Sequence, residues 1–182
     1  TYVRSKQGKG RWYATGVAQL QSAPRALKQA ATGRFAWECD LGNAFPTIIA
    51  NLLPPDAGRW TELKAYAQDK TEMRREVADG YGIPMQEAKR LLLSILFGRS
   101  LRKWRAGRPE VTGPTPPRFE RLCAELAEAR TLLTRGQRRK GESQLTTLSR
   151  IVQIAEQEVV EALEKALKGR GFIAGTIRHP GA

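Results

Sequence analysis

The chain is 182 residues long, 41% hydrophobic and 27% charged, a balance that is ordinary for a folded domain and excludes a disordered or fibrous class. Its formal net charge of +13 and its pI near 10.3 point to a polyanionic partner. Two separated cysteines, Cys39 and Cys123, and one histidine, His179, exclude a disulfide framework, a zinc site and a serine or cysteine triad, while the longest apolar run, near 91–97, falls far short of the roughly 20 residues needed to cross a bilayer.

Residues 1–23 mix Gly, Ser and Gln around a short β-like run at 11–15, with no apolar stretch that would make a secretory signal. Pro24 opens a predicted helix over 25–31, in a first-turn position where its missing N–H costs nothing, and Gly33 ends it. Residues 34–40 alternate as a strand does and put Glu38 and Asp40 on one face. After Gly42 an apolar helix is expected over 44–53, with Pro46 in its first turn and Pro54-Pro55 as its stop. Asp56 caps the next, whose periodic Trp60, Leu63, Ala65 and Tyr66 carry it to about 68. Another helix over 69–79 stops at Gly80-Tyr81-Gly82. The one from 86 to Gly98 carries Leu91, Leu92, Leu93, Ile95 and Leu96 on so many sides that burial is expected.

Gly107, Pro109, Gly113, Pro114, Pro116 and Pro117 make the next stretch read as a linker. Beyond it come a helix over 118–134, a basic turn, and a long helix over about 142–167. In that last helix Leu148, Ile151, Val152, Ile154, Ala155 and Val159 form a core-facing stripe, and Glu156, Glu158, Glu161 and Glu164 face outward. Residues 172–177 read as a strand. Short strands, a helical insertion and a returning strand together predict an α+β class.

Charge is distributed unevenly. No acidic residue occurs before Glu38, whereas Arg4, Lys6, Lys9, Arg11, Arg25, Lys28 and Arg34 are all basic. A second cluster, Arg99, Arg102, Lys103, Arg105 and Arg108, surrounds Trp104, and a third is Arg135, Arg138, Arg139 and Lys140. Phosphate contact explains such clusters economically, because each cation that neutralises a phosphate also releases condensed counterions. A solvated cationic surface and an anionic membrane surface are the alternatives; the asymmetry and the tryptophan favour nucleic acid.

The order of motifs resembles that of the family A DNA polymerases. Gly10-Arg11 and then Leu20-Gln21-Ser22-Ala23-Pro24-Arg25 are similar to the Gly-Arg and Leu-Gln-Asn-x-Pro-Arg that precede the family's first catalytic strand, with Ser22 in place of Asn. Asp40 follows where the family has its first metal-binding aspartate. Lys89, with Phe97-Gly98 eight residues on, resembles the fingers-helix pattern Arg-x3-Lys-x7-Tyr-Gly, although Met85 stands at the arginine's place. Five residues after Asp40, where the family's DNA enzymes carry a ribose-excluding glutamate, this chain has Phe45. The closing His-Asp turn is matched by His179-Pro180, and the family's thumb is missing before Gly10-Arg11.

The resemblance implies a small antiparallel palm-like sheet with a large, mainly helical, fingers-like insertion. Its parts are a palm-like 1–56, a fingers-like 57–106, a linker at 107–117, a helical lobe at 118–171 and a returning palm-like strand at 172–182. It implies template-directed nucleotidyl transfer of the DNA polymerase type, with Mg²⁺ at Asp40 and Glu38 as a further carboxylate on the same strand face. Lys89, Arg90, Phe97 and Phe45 are expected to hold a nucleoside triphosphate. Arg11, Gln21, Arg25, Arg99, Arg102, Lys103, Trp104 and Arg105 are expected to contact a DNA or RNA primer-template. Because proline offers no carboxylate, the alternative is a non-catalytic nucleic-acid-binding protein derived from a polymerase palm, or one completed by another chain that supplies the thumb or second carboxylate.

The residues themselves leave choices open. Phosphoryl transfer uses two metal ions held roughly 3.5–4 Å apart by carboxylates, a demand that Asp40 at a strand end meets, but an aspartate there also caps a helix. Lys89 and Arg90 on an apolar helix want an anion, either a triphosphate or Glu87, or else lie exposed along one edge of the helix. Phe97 could stack on a base or belong to the core, and Phe45 could exclude a 2′-hydroxyl or pack. The scarcity of cysteine suggests a reducing, cytoplasmic setting, and no membrane partner is expected.

Overall fold

The computed structural model describes residues 2–4, 12–14, 26, 42–55, 58–111 and 113–170. In chain order these form β1 (Tyr2–Arg4), β2 (Trp12–Ala14), α1 (Ala44–Leu52), α2 (Thr61–Gln68), α3 (Lys70–Tyr81), α4 (Met85–Leu96), α5 (Leu101–Ala106), α6 (Pro117–Thr134) and α7 (Gln144–Gly169). The chain divides into two compact units, Asn43–Val152 and a second made of Thr1–Gly42 with Gln153–Ala182.

The Asn43–Val152 unit is helix packed on helix: α1 on α2, α2 on α3 and α6, and α3 on α4 and α6. Apolar residues three and four apart give each helix one buried stripe. Leu63 and Tyr66 of α2, Met73 and Val77 of α3, Leu91 and Leu92 of α4, and Phe119 and Leu122 of α6 are all inaccessible to solvent. Each such side chain contributes roughly 1.5–3 kcal/mol by leaving water.

Two polar devices join α6 to α2. The Trp60 side chain leaves the N-terminus of α2 uncapped, and the Glu125 carboxylate takes that place by accepting the backbone N–H groups of Glu62 at 3.2 Å and Leu63 at 2.8 Å. A carboxylate there satisfies orphan donors and complements the helix dipole. Beside it the Glu62 side chain is buried, and it accepts from Arg118 Nε at 3.0 Å and Arg121 Nη2 at 2.7 Å. Burial pushes the Glu62 carboxyl up, but the hydrogen bonds from Arg121 and Arg118 outweigh it and hold the group below its ordinary value.

The proline- and glycine-rich stretch expected as a linker is packed inside this unit. Val111 and Pro116 are buried, the Tyr81 hydroxyl donates to Thr115 Oγ1 at 3.1 Å, and Arg105 Nη2 donates to the Gly113 carbonyl at 2.7 Å.

In the second unit, β1 and β2 form a short antiparallel ribbon with Val3 opposite Tyr13. Residues 153–169 of α7 lie in this unit too, with Gln157 donating to Glu161 at 2.7 Å and Lys168 paired to Glu164 at 3.1 Å, each one helical turn apart.

The α+β expectation is overturned. The described residues are mainly helical, and no palm-like sheet lies among them; β1 and β2, three residues each, pair only with one another. The layers that bury the apolar stripes are helix on helix, so the core of the Asn43–Val152 unit closes without a sheet to pack against. The predicted strands at 34–40 and 172–177, and the helix over 25–31 apart from residue 26, lie outside the described residues. No helix among the described residues is long and apolar enough to cross a membrane.

Candidate nucleotide and nucleic-acid interface

Four of the expected site residues fall on α4 and at the start of α1. α4 buries Ala88, Leu91, Leu92, Ile95 and Leu96. Its other side carries Met85, Lys89, Leu93 and Phe97 at four-residue steps, a ridge one turn apart at each step. Lys89 is half-buried, Arg90 is exposed, and Phe97 is 56% exposed although it terminates an apolar helix. The Phe45 ring meets the Phe97 ring with centroids 4.8 Å apart and planes tilted by 55°. That geometry lies within the favourable range for aromatic pairs.

Local backbone chemistry fixes both rings. α4 ends in a Schellman turn: the Gly98 N–H reaches the Ile95 carbonyl at 2.8 Å and the Arg99 N–H reaches that of Ser94 at 2.9 Å. Gly98 has φ +85°, and a Cβ there would come within 2.0 Å of Leu145 Cδ2. Glycine is therefore favoured twice over, by the left-handed backbone and by the side chain against it. At the other ring, Asn43 sits at φ 56° just before α1. Its amide donates to the carbonyls of Tyr66 at 2.7 Å and Ala67 at 3.0 Å, filling acceptors that the end of α2 leaves free. Asn43 thus ties the first turn of α1, and Phe45 with it, to α2.

Glu87 is not the partner of Lys89 or Arg90. It accepts from Arg108 Nε at 2.9 Å and forms a second, shorter bond to the same guanidinium. Neither Lys89 nor Arg90 has an ion-pair partner among the described residues.

The cluster around Trp104 divides in two. Ser100 caps α5 by accepting the Lys103 N–H at 3.2 Å. Trp104 is only 3% exposed, lies 5.7 Å from the Tyr81 ring, and has the Arg108 guanidinium over it at 4.9 Å. It is a core residue whose ring faces protein, so it offers no surface for a base. Arg105 is likewise taken up by the carbonyl of Gly113 and by the Tyr81 ring at 5.7 Å. Arg99, Arg102 and Lys103 are exposed.

Asp40, Glu38, Arg11, Gln21 and Arg25 lie outside the described residues, as does His179-Pro180. No group of three or more His, Cys, Asp or Glu among the described residues could hold a metal ion. Two residues that matter here had not been singled out from sequence. Asn43 left one signal, an asparagine directly after a helix-breaking glycine, a residue type enriched at positive φ. Leu145 left none, since its contact with Gly98 joins elements far apart in the chain.

The chain matches no known family, no curated protein and no solved structure.

Proposed function

We propose that the chain binds a nucleic acid and a nucleoside triphosphate and carries out template-directed nucleotidyl transfer of the DNA polymerase type, with α4 as the triphosphate-binding element. The observation that carries this reading is the contact between Phe45 and Phe97. The resemblance to family A polymerases assigned both residues to the nucleotide independently, one by its distance from Asp40 and the other by its distance from Lys89. Rings chosen on those separate grounds are neighbours. Lys89, without an ion-pair partner among the described residues, stands two turns before Phe97 on the same ridge. At 1.5 Å per residue the two are about 12 Å apart along the axis, which suits a cation on the phosphates and a ring near the base. Arg99, Arg102 and Lys103 then supply phosphate contacts to the template or primer.

Asp40, with Glu38 as a possible companion, would hold Mg²⁺, which neutralises charge on the triphosphate during transfer. The proposed setting is cytoplasmic, in keeping with only two cysteines in the chain. A second reading, nucleic-acid binding without catalysis, is favoured by one observation: Pro180 stands where the family's second metal-binding aspartate would be.

Primer extension separates the two. With Mg²⁺, a primed template and either deoxy- or ribonucleotides, the full chain is expected to extend the primer and Asp40→Ala to abolish extension. Absence of extension by both proteins, with salt-sensitive DNA binding retained, would leave only the second reading.

A further inference from the structure

Residues 135–143 join α6 to α7 and read Arg-Gly-Gln-Arg-Arg-Lys-Gly-Glu-Ser. They take no part in the α4 ridge. Four cations precede a single acid, and residues 135–141 are all exposed. A basic run of this kind is ordinarily a loose, solvated loop, but here hydrogen bonds tie it down.

Glu142 is the tie. Its carboxylate accepts from Arg150 Nε at 3.2 Å and Nη2 at 3.1 Å, from the Thr147 hydroxyl at 2.9 Å, and from the backbone N–H of Arg139 at 3.3 Å. Arg150 also donates to the Gln137 carbonyl at 2.8 Å, and Arg138 Nη2 donates to the Glu142 carbonyl at 3.2 Å. Ser143 caps α7 by accepting the Thr146 N–H at 3.1 Å. The Arg150 hydrogen bonds, helped by Thr147 and Arg139, bring the Glu142 carboxyl down to about 2. The only acid of the turn is thus matched from within, and the side chains of Arg135, Arg139 and Lys140 have no ion-pair partner among the described residues.

We infer that the α6–α7 turn is a second nucleic-acid contact, a preformed basic tip that grips the phosphate backbone of a duplex without reading its sequence. The inference rests on the reading that the chain binds nucleic acid. Three features select the occupant. The turn has no aromatic ring on which single-stranded bases could stack. It has no apolar side chain to enter a lipid surface. Its cations are held by a fixed backbone, so less ordering entropy is lost when phosphates are bound than for a free loop.

The test compares the full chain with the triple variant R135Q/R139Q/K140Q, measuring affinity for a mixed-sequence DNA duplex as a function of salt. At a slope of about 0.9 per phosphate, loss of three contacts lowers the slope by roughly 2.7, and raising salt from about 50 to about 200 mM then weakens the parent roughly 40-fold more than the variant. Circular dichroism and a urea midpoint equal to the parent's show that the loss is one of contact. A parent that binds with a slope the variant leaves unchanged overturns this inference and spares the nucleic-acid reading. A parent that binds no duplex overturns both. Binding by the parent to phosphatidylserine vesicles in preference to duplex, lost in the variant, replaces the duplex with a lipid surface and overturns the inference. Glu142→Gln gives a check of opposite sign: it makes the chain more positive, so tighter binding would mean that charge alone acts, whereas weaker binding supports the preformed turn.

Discussion

Gly98→Ala tests whether the Phe97-Gly98 pair is held by the packing described above. The substitution puts a Cβ at φ +85°, a left-handed conformation that costs a non-glycine residue roughly 1–2 kcal/mol. The added atom also falls 2.0 Å from Leu145 Cδ2 and 2.9 Å from its Cγ. Leu145 is partly exposed and can turn away, but because Cγ is involved the whole side chain must leave its rotamer, at roughly 0.5–1.5 kcal/mol. Alanine also restricts the unfolded chain, which offsets about 0.4–1 kcal/mol, leaving a net loss of about 0.5–3 kcal/mol. Urea unfolding followed by circular dichroism measures it, as a lower midpoint at unchanged slope. The double variant G98A/L145A separates the two causes. Removing the leucine relieves the clash and leaves the backbone strain, so the pair should be less destabilised than the sum of its parts by roughly 0.5–1.5 kcal/mol. A G98A midpoint within about 0.5 kcal/mol of the parent, or strict additivity with L145A, would refute the reasoning.

Two further outcomes follow from buried groups. Glu62→Ala leaves Arg118 and Arg121 without their shared carboxylate and should destabilise the chain toward the lower end of roughly 3–5 kcal/mol, since both guanidiniums reach solvent. Because the folded pKa of Glu62 lies below its ordinary value of 4.5, its stabilisation is complete above that value and is lost as pH falls through the depressed folded one. Parent and variant should therefore converge in urea midpoint on acidification, and a constant difference down to strongly acid pH would contradict the assignment. Cys123 is half-buried on α6, and desolvation pushes its thiol up to about 12. In a Cys39→Ser background, iodoacetamide at mildly alkaline pH should label it slowly when folded and rapidly in urea; equal rates would show the thiol to be accessible.

How much of this was legible in the sequence depends on the kind of signal. α3 was legible to within two residues of its end, because the expected stop at Gly80-Tyr81-Gly82 contains the left-handed Gly82, and α6 to within one residue of its start, Pro117, assigned to the linker, being its first residue. These are local rules, and the chain obeys them. α5 was not legible: six residues are too few to establish a period, and its composition drew attention to charge. The same local view made Trp104 look like a stacking surface. Its burial is decided by Tyr81, and the fates of Arg105 and Arg108 by Gly113 and Glu87, none of which the cluster's composition reveals. Fold class failed for a related reason. Of the short alternations expected as strands, the run at 11–15 forms only β2 of a two-stranded ribbon and those at 34–40 and 172–177 lie outside the described residues, whereas the described core is assembled from helix faces whose partners are set by tertiary packing.

The candidate site was legible to a different extent. Lys89 and Phe97 were found from spacing along one helix, which the helical ridge preserves. That Phe45 would touch Phe97 could not be computed from spacing within either segment. It depends on Asn43, whose amide pins the start of α1 to the end of α2.

The most direct measurement of the central claim is the affinity of the full chain for a deoxynucleoside triphosphate in the presence of Mg²⁺, by calorimetric titration, for the parent, Lys89→Ala and Lys103→Ala. A charge-assisted hydrogen bond to phosphate is worth roughly 1.5–3 kcal/mol, so Lys89→Ala should weaken binding roughly 10- to 100-fold while Lys103→Ala, exposed on α5, leaves it nearly unchanged. Equal affinities for the parent and Lys89→Ala, or equal losses in both variants, would contradict the assignment of α4 to the triphosphate.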